Sequence, residues 1–450
     1  MPSQFGALSG PAPTAYAPTM NSPATPSVTL ADPMRLASGV TVPNRIAKSA
    51  MTEGLADADN RATPAHARLY RRWAEGGAGL LITGNVQVSR AHLERPGNIV
   101  IEGAQPPEAL ATLSDMARAA STGGTRCYVQ LSHAGRQTPI TINPTPSAPS
   151  AVPVALPGKQ FGLPRALSEA EIEGLIEAFG AAAAVCRAAG FDGVQLHAAH
   201  GYLLSAFLSP LANRRDDRWG GSLENRARFL LLAVRAARAA AGPGFGVAVK
   251  LNSADFQRGG FDIRESQEVA RMLEGEGIDF LEISGGNYEQ PRMMDSDGLD
   301  PGEARSARRE AYFLAEAERL RAAVKTPLMV TGGFRTAGGM AAALASGACD
   351  LVGLARPLCV EPDAPARLLA DPAHCLHQPE RHLRFGPGPL SPSGKLPIVK
   401  LLNGFGAQAW FCQQILSLAE GLAPDPALPV WKALWRHQQR ETAMAKALTR

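Results

Sequence analysis

Two histidines and a tyrosine stand close together in the middle of the chain, at His197, His200 and Tyr202. They follow Gly193–Leu196, a short run typical of a buried strand. In folds that alternate strands and helices, ligands bind where strands end. Two imidazoles there can hold an oxygen atom by hydrogen bonds, and a phenol can deliver a proton. Taken alone, however, the His-x-x-His spacing favours a metal site or structural histidines that cap a loop.

A glycine pair and an arginine follow two later apolar runs. Gly332 and Gly333 come after the first run, and Ala355 and Arg356 come after the second. Glycines expose backbone N–H groups and arginine adds positive charge, and the last two strand-end loops form the common phosphate site of barrel enzymes. We therefore predict phosphate binding here. The alternative is a tight turn that needs glycine, with Arg356 in a surface ion pair.

Two polar residues interrupt apolar strand-like runs, Gln130 in Tyr-Val-Gln-Leu and Lys250 in Val-Ala-Val-Lys-Leu. A charge that faces the interior of a barrel is costly unless it meets an anion. A buried amide needs hydrogen-bond partners, which a planar heterocycle can offer. Each residue alone favours a structural role. Together with a phosphate site, they indicate a nucleotide-like cofactor.

Eight short apolar runs alternate with alanine-rich helical stretches, and this alternation must position the residues above. The alternation favours a closed (β/α)8 TIM barrel over an open doubly wound sheet, although spacing alone leaves both open. Ser168 and Glu171 form a capping box at the start of one helix. The predicted strands are Arg45–Met51, Gly79–Thr83, Arg126–Leu131, Gly193–His197, Val247–Asn252, Phe280–Ser284, Leu328–Thr331 and Leu351–Leu354. The predicted helices include Pro64–Glu75, Pro107–Ser121, Ser168–Ala189, Leu223–Ala240, Ile263–Glu276 and Ser306–Ala323.

The two ends of the chain differ from the barrel pattern. Residues 1–30 contain no charged side chain and six prolines, which predicts a disordered leader over 1–29. The barrel is predicted over 30–375 and a helical C-terminal extension over 376–450. Its helices, Leu401–Leu416 and Val430–Leu448, are expected to pack on the barrel or on a neighbouring subunit, with Trp431 and Trp435 on one face. The proline-rich loop Thr138–Pro164 is either a wall of the active face or a surface insertion.

The composition excludes several classes of protein. The net charge is only +4, so no nucleic-acid partner is expected. Nine Lys or Arg against three Asp or Glu fall between Arg381 and Arg450, which is typical of a solvated surface. The six cysteines are scattered without a Cys-x-x-Cys pair, which argues against a zinc site, an iron–sulfur cluster or a disulfide scaffold. No apolar run long enough for a membrane span and no signal-peptide pattern are seen, so we predict a cytoplasmic protein.

The segment from His197 to Phe229, HAAHGYLLSAFLSPLANRRDDRWGGSLENRARF, resembles the signature of the Old Yellow Enzyme family. The shorter segments NRIAKSAMTEG, LLITGN, QLSHAGR, VAVKLN, TGGFRT and GLARPL resemble the family in the same order. The resemblance spans roughly Leu30 to Leu369. It implies a barrel that binds FMN and takes electrons from NADH or NADPH.

The resemblance also implies roles for individual residues, and it assigns none to a metal. His197 and His200 would hold the substrate oxygen, and Tyr202 would donate a proton. Gln130 would bond the pyrimidine edge of the flavin, and Lys250 would stabilise the reduced flavin near N1 and O2. The remaining cofactor residues would line the flavin ring or bind the phosphate: Ser49, Ala50, Met51, Thr52 and Gly84 for the ring, and Gly332, Gly333, Ala355 and Arg356 for the phosphate.

The expected activity is reduction of activated alkenes, that is, α,β-unsaturated carbonyl or nitro compounds. Two positions depart from the common family pattern, Ala50 where many members have proline and Gly54 where some bacterial members have a substrate-contacting tyrosine. The competing hypotheses are an NADH oxidase or amine demethylase, a non-enzymatic flavin-binding protein, and a metal-dependent hydrolase. We expect a small-molecule substrate and leave open assembly into a homo-oligomer.

Overall fold

The computed structural model describes residues 28–156, 160–286, 289, 313–392 and 397–448. Residues 1–27 of the predicted leader lie outside this part of the chain. The same holds for 157–159 of the proline-rich loop and for 306–312 of one predicted helix.

Eight parallel strands form the centre of the molecule. Each strand pairs with the next along the chain. The last strand pairs back with the first, with Val352 opposite Ile46, so the sheet closes on itself. The predicted (β/α)8 barrel is therefore confirmed. The barrel strands are β1 Ile46–Lys48, β2 Leu80–Ile82, β3 Arg126–Ser132, β4 Gly193–Ala198, β5 Gly246–Asn252, β6 Leu281–Ser284, β7 Leu328–Thr331 and β8 Leu351–Leu354.

Helices surround the barrel at the positions that the sequence pattern indicates. α3 begins at the predicted capping box, where the Ser168 side chain accepts a hydrogen bond from the Glu171 N–H. The first strand is shorter than predicted because residues 49–51 leave the sheet. The helices are α1 Pro64–Glu75, α2 Pro107–Ala120, α3 Glu169–Ala189, α4 Leu203–Leu208, α5 Leu223–Ala241, α6 Ile263–Gly275, α7 Leu314–Arg321, α8 Ala337–Ala345, α9 Ala364–Ala370, α10 Pro397–Ala419 and α11 Val430–Leu448.

Shorter elements complete the fold. Five short strands lie outside the eight-stranded series: the antiparallel pair Met34–Arg35 and Thr41–Val42, the strand Val86–Gln87, and the parallel pair Ser147–Ala148 and Arg165–Ala166. Short 3₁₀ helices occur at Arg90–His92, Thr122–Gly124, Gly135–Gln137, Arg356–Cys359, Pro379–Arg381 and Gly388–Leu390.

The N-terminal end of the barrel is sealed by apolar side chains. Met34 and Val42 of the antiparallel pair pack in one buried cluster with inward side chains of the strands, such as Leu80 and Phe280. Below them, Asp279 accepts hydrogen bonds from the Tyr128 hydroxyl at 2.6 Å and from the Ser38 hydroxyl at 2.8 Å. The opposite, carboxyl-terminal end of the strands is therefore the end available for a site.

The C-terminal helices pack against the barrel. The Arg68 side chain of α1 donates to the Ala419 carbonyl at 2.9 Å, and Arg95 pairs with Glu441 of α11 at 2.5 Å. Trp431 and Trp435 remain 57% and 55% exposed on α11. None of the helices in the described part of the chain is both long enough and apolar enough to cross a membrane.

Candidate active site

The three residues of the His-x-x-His-Gly-Tyr run come together at the carboxyl end of β4. The ring centroids of His197 and Tyr202 are 4.8 Å apart, and those of His197 and His200 are 4.9 Å apart. The His200 and Tyr202 centroids are 6.5 Å apart. All three ring pairs are in edge-to-face arrangement. His197 lies on the strand, which ends at Ala198, and the short turn between the strand and α4 carries His200 and Tyr202.

The backbone fixes which nitrogen of His197 carries a proton. The Ala199 N–H donates to His197 Nδ1 at 3.2 Å, so this nitrogen is an acceptor. In a neutral imidazole the other nitrogen, Nε2, then carries the proton and is a donor. Burial, and secondarily the charge of Lys250, hold the pKa of His197 well below its usual range. His197 is therefore a neutral hydrogen-bond donor at pH 7.

His200 is held by two other strand ends. Its φ is +65°, in the left-handed region, and its N–H donates to Asn252 Oδ1 at 3.2 Å. Its Nε2 lies 2.6 Å from the Ser284 hydroxyl oxygen, and either atom can be the donor. Burial, together with His197 and Lys250, holds the pKa of His200 well below its usual range. Nδ1 is therefore the nitrogen of His200 left for a ligand.

A chain of polar side chains crosses the barrel interior below the histidines. Lys250 Nζ lies 3.1 Å from Glu282 Oε1, which also accepts from the Thr331 hydroxyl at 2.8 Å. Gln195 donates to Glu282 Oε2 at 2.8 Å, and Gln130 donates to Gln195 Oε1 at 2.6 Å. The anion that the buried Lys250 meets is thus a carboxylate of the protein itself. Gln130 and Lys250, predicted from different strands, belong to one network.

The loop after β1 carries the next group of predicted residues. Ser49 is buried, and its hydroxyl lies 2.7 Å from that of Thr331. Ala50 and Met51 are half-buried. The Thr52 hydroxyl donates to Glu94 Oε2 at 2.7 Å.

Gly84 and Asn85 follow β2 beside that loop. The Gly84 N–H donates to Glu53 Oε1 at 2.9 Å, so it is already engaged within the protein. Asn85 donates to the same Glu94 oxygen as Thr52, at 2.7 Å. One carboxylate oxygen of Glu94 therefore accepts hydrogen bonds from both the Thr52 hydroxyl and the Asn85 amide.

The residues predicted to bind phosphate line one cleft between β7 and β8. Gly332 and Gly333 have φ values of +108° and +87°, which only glycine adopts without strain. Ala355 and Arg356 form the other side of the cleft. Arg335 also lines the cleft, and its guanidinium is paired with Glu380. Backbone amides and one arginine at the ends of the last two strands suit a phosphate group.

Residues 29–372 match the model of the NADH:flavin oxidoreductase / NADH oxidase family. The chain belongs to this family, the Old Yellow Enzyme family. It is 36% identical over 353 residues to the NADH-dependent flavin oxidoreductase iliE of Hypocrea jecorina (strain QM6a), covering 75% of this chain and 88% of that protein. It is 39% identical over 336 residues to the NADH-dependent flavin oxidoreductase nadA of Aspergillus parasiticus, covering 71% and 73%. A solved Old Yellow Enzyme homologue from Zymomonas mobilis superposes with a TM-score of 0.63 at 29% identity, covering 76% and 92%.

Membership of the Old Yellow Enzyme family confirms the predicted class of oxidoreductase. It confirms FMN as the cofactor and a reduced nicotinamide as the electron donor. The cleft at Gly333 and Arg356 fits the phosphate of FMN, because it offers amide donors and a cation. Among the described residues, no three His, Cys, Asp or Glu side chains are grouped so that they could hold a metal ion.

Sequence reasoning missed five residues that hold the predicted ones in place. They are Glu94, Gln195, Asn252, Glu282 and Ser284. Glu282 and Ser284 alternate along β6, so both point into the barrel, and this period-two pattern is a usable sequence signal. Glu94 lies in a loop far from Thr52 in sequence and carries no such signal.

Proposed function

We propose that this enzyme reduces activated alkenes, with the activating carbonyl or nitro oxygen held by His197 and His200. The observation that carries the proposal is the fixed tautomer of His197. The Ala199 N–H occupies Nδ1, so Nε2–H is the donor, and the ring lies 4.8 Å from Tyr202. A proton donor and an oxygen-binding donor therefore share one end of the barrel.

FMN, when bound, supplies the hydride that reaches the β-carbon of the alkene. Negative charge then develops on the activating oxygen, and the hydrogen bond from His197 strengthens as it does so. The buried histidine donates without being a cation, so it does not give up its proton to the substrate. An aligned neutral donor of this kind favours the transition state over the ground state.

His200 donates to the same oxygen if the Ser284 hydroxyl donates to its Nε2, which places the imidazole proton on Nδ1. Ser284 thus acts as the positioning residue for His200, as the Ala199 amide does for His197. Asn252 holds the turn itself through the His200 N–H.

Tyr202 completes the reaction by protonating the α-carbon. A phenol with an ordinary pKa of about 10 keeps its proton at pH 7 and gives it up only to a strong base such as a developing carbanion. The ring is buried, at 4% exposure, so the proton passes to the substrate away from bulk water.

The test is the variant Tyr202→Phe. Stopped-flow measurements follow the two half-reactions separately, with cyclohexenone as the alkene. Reduction of the flavin by NADH or NADPH should keep its wild-type rate, and turnover of the alkene should fall about 100-fold or more. Wild-type alkene turnover in the variant would remove Tyr202 from the role of proton donor.

The same assay separates the alternatives. An NADH oxidase would pass electrons to oxygen with no gain from cyclohexenone, and an amine demethylase would turn over a panel of N-methyl amines instead. Neither activity would require Tyr202 to protonate a carbon atom of the substrate.

A further inference from the structure

We propose that Glu282 is a positioning residue that sets the reduction potential of bound FMN and the direction in which Gln130 presents its amide. The inference rests on the proposed function and on the flavin position next to Gln130 and Lys250 that the family resemblance implies. It concerns a carboxylate that is fully buried inside the barrel.

Strand register places Glu282 at the centre of the site. Lys250 on β5 lies directly opposite Glu282 on β6 and directly opposite His197 on β4. Side chains opposite each other in parallel strands point to the same face, so all three point into the barrel. The carboxylate therefore lies one strand away from the residue that would stabilise the reduced flavin.

The first consequence is a partial cancellation of charge. A reduced flavin carries negative charge near N1 and O2, and an isolated ammonium there would stabilise it strongly because the surroundings are dry. Here the ammonium of Lys250 is already paired at 3.1 Å with Glu282. The negative charge of Glu282 therefore offsets most of the positive electrostatic potential that Lys250 produces at the flavin. As a result, the reduction potential of the flavin is lower than it would be with Lys250 alone.

The second consequence is the orientation of two amides. A carboxylate can only accept hydrogen bonds, so Gln195 must turn its NH₂ group toward Glu282. The Gln195 carbonyl oxygen then faces Gln130 and accepts from its NH₂ group at 2.6 Å. Gln130 consequently keeps its own carbonyl oxygen and a second N–H for the site. A donor and an acceptor side by side suit a pyrimidine edge, which offers both an N–H and a carbonyl.

Glu282→Gln removes the negative charge at nearly constant volume. With the charge of Lys250 uncompensated, the reduced flavin should gain at least tenfold in affinity over the oxidised flavin. This corresponds to a rise of about 30 mV in the midpoint potential of a two-electron couple. The potential is measured by equilibrating the FMN-loaded enzyme with a reference dye. Sulfite, which adds to an oxidised flavin and leaves it negatively charged, should bind at least tenfold more tightly.

Two further variants keep the test informative if Glu282→Gln binds FMN poorly. Lys250→Met leaves the carboxylate without its cation, so the potential should fall. The double variant Lys250→Met with Glu282→Gln should return to within about 10 mV of the wild type, because both charges are absent. Glu265→Gln is the matched control, since it breaks the ion pair with Arg226 on the outer helices and should leave the potential unchanged.

The outcomes separate this inference from the proposed function. Wild-type protein that binds no FMN in a fluorescence titration would overturn both. Wild-type protein that binds FMN, with the same potential and sulfite affinity in the Glu282 and Lys250 variants, would overturn only the role of Glu282. If Glu265→Gln changed the midpoint potential as much as Glu282→Gln does, the change would come from a general loosening of the protein by a broken ion pair. The specific role of Glu282 would then be overturned.

Discussion

Backbone amides determine which ring nitrogen carries the proton in several histidines of this enzyme. The Ala199 N–H turns His197 into a donor at Nε2, and the Gly135 N–H does the same for the buried His133 at 3.1 Å. In His92, which stacks on His133, the Ser147 N–H instead occupies Nε2 at 3.0 Å. If the loop moved and broke the bond from the Ala199 N–H, Nε2 of His197 would no longer be fixed as the donor that we propose binds the substrate oxygen.

Arg356 supports a second prediction at the scale of one residue. It lies in the cleft that fits the phosphate of FMN, where the second arginine, Arg335, is already paired with Glu380. Arg356→Met should therefore weaken FMN binding about 10- to 100-fold, the usual range for a hydrogen bond to a charged group. Fluorescence titration of the apoprotein measures this. Riboflavin has no phosphate, and its affinity should not change. Arg118→Met, on the exposed surface of α2, is the control, and an equal loss for riboflavin would place Arg356 outside the phosphate site.

Helix α11, the last helix of the C-terminal extension, contacts the loops that follow β1 and β2. Arg440 of α11 donates to the Gly54 carbonyl at 2.9 Å, and Glu441 pairs with Arg95. A side chain at Gly54 would meet the Arg95 guanidinium at 3.1 Å, so Arg95 fills the space next to Gly54. The extension therefore supports the loop at Gly54, which we propose forms one wall of the substrate pocket.

Glu441→Gln should loosen this wall. It leaves Arg95, whose side chain is only 12% exposed, without its carboxylate partner. We expect the free energy of unfolding to fall by about 1 to 3 kcal/mol, less than for a fully buried pair because Glu441 is partly solvated. Urea denaturation measures the change, and KM for the alkene should rise more than kcat falls. Glu177→Gln, exposed on α3, should change neither, and an unaltered KM in Glu441→Gln would leave the extension with a purely structural role.

The whole molecule shows which interactions a sequence can predict. The barrel and the His-x-x-His-Gly-Tyr turn follow from local patterns, namely eight apolar runs and one unusual cluster of polar residues. The pairing of Lys250 with Glu282 depends on the register of two strands, and the Thr52 hydrogen bond to Glu94 depends on the path of a loop. The contact of Arg440 with Gly54 joins residues 386 positions apart. Such contacts form only when distant parts of the chain come together in the folded barrel, so no local sequence pattern predicts them.

Four buried histidines, together with the half-buried His200, give the whole molecule a predictable response to acid. Burial lowers the pKa of His66 and of His92 from 6.5 to about 4 and keeps those of His133, His197 and His200 well below the usual range. Between pH 6.5 and 4 the unfolded chain therefore binds more protons than the folded protein, and stability must fall as the pH falls. Each histidine contributes a loss of up to about 1.4 kcal/mol per pH unit.

Urea unfolding of the FMN-loaded enzyme at pH 7, 6 and 5 measures this response. The free energy of unfolding should decline steadily below pH 6.5, because each buried imidazole must stay neutral for the protein to remain folded. His66→Gln should make the decline shallower by about 1.4 kcal/mol per pH unit, since it removes one such group. His382→Gln, at an exposed position, should leave the slope unchanged. Equal stability at pH 7 and pH 5 would mean that the histidines become protonated without unfolding, and His197 would then face the substrate as a cation.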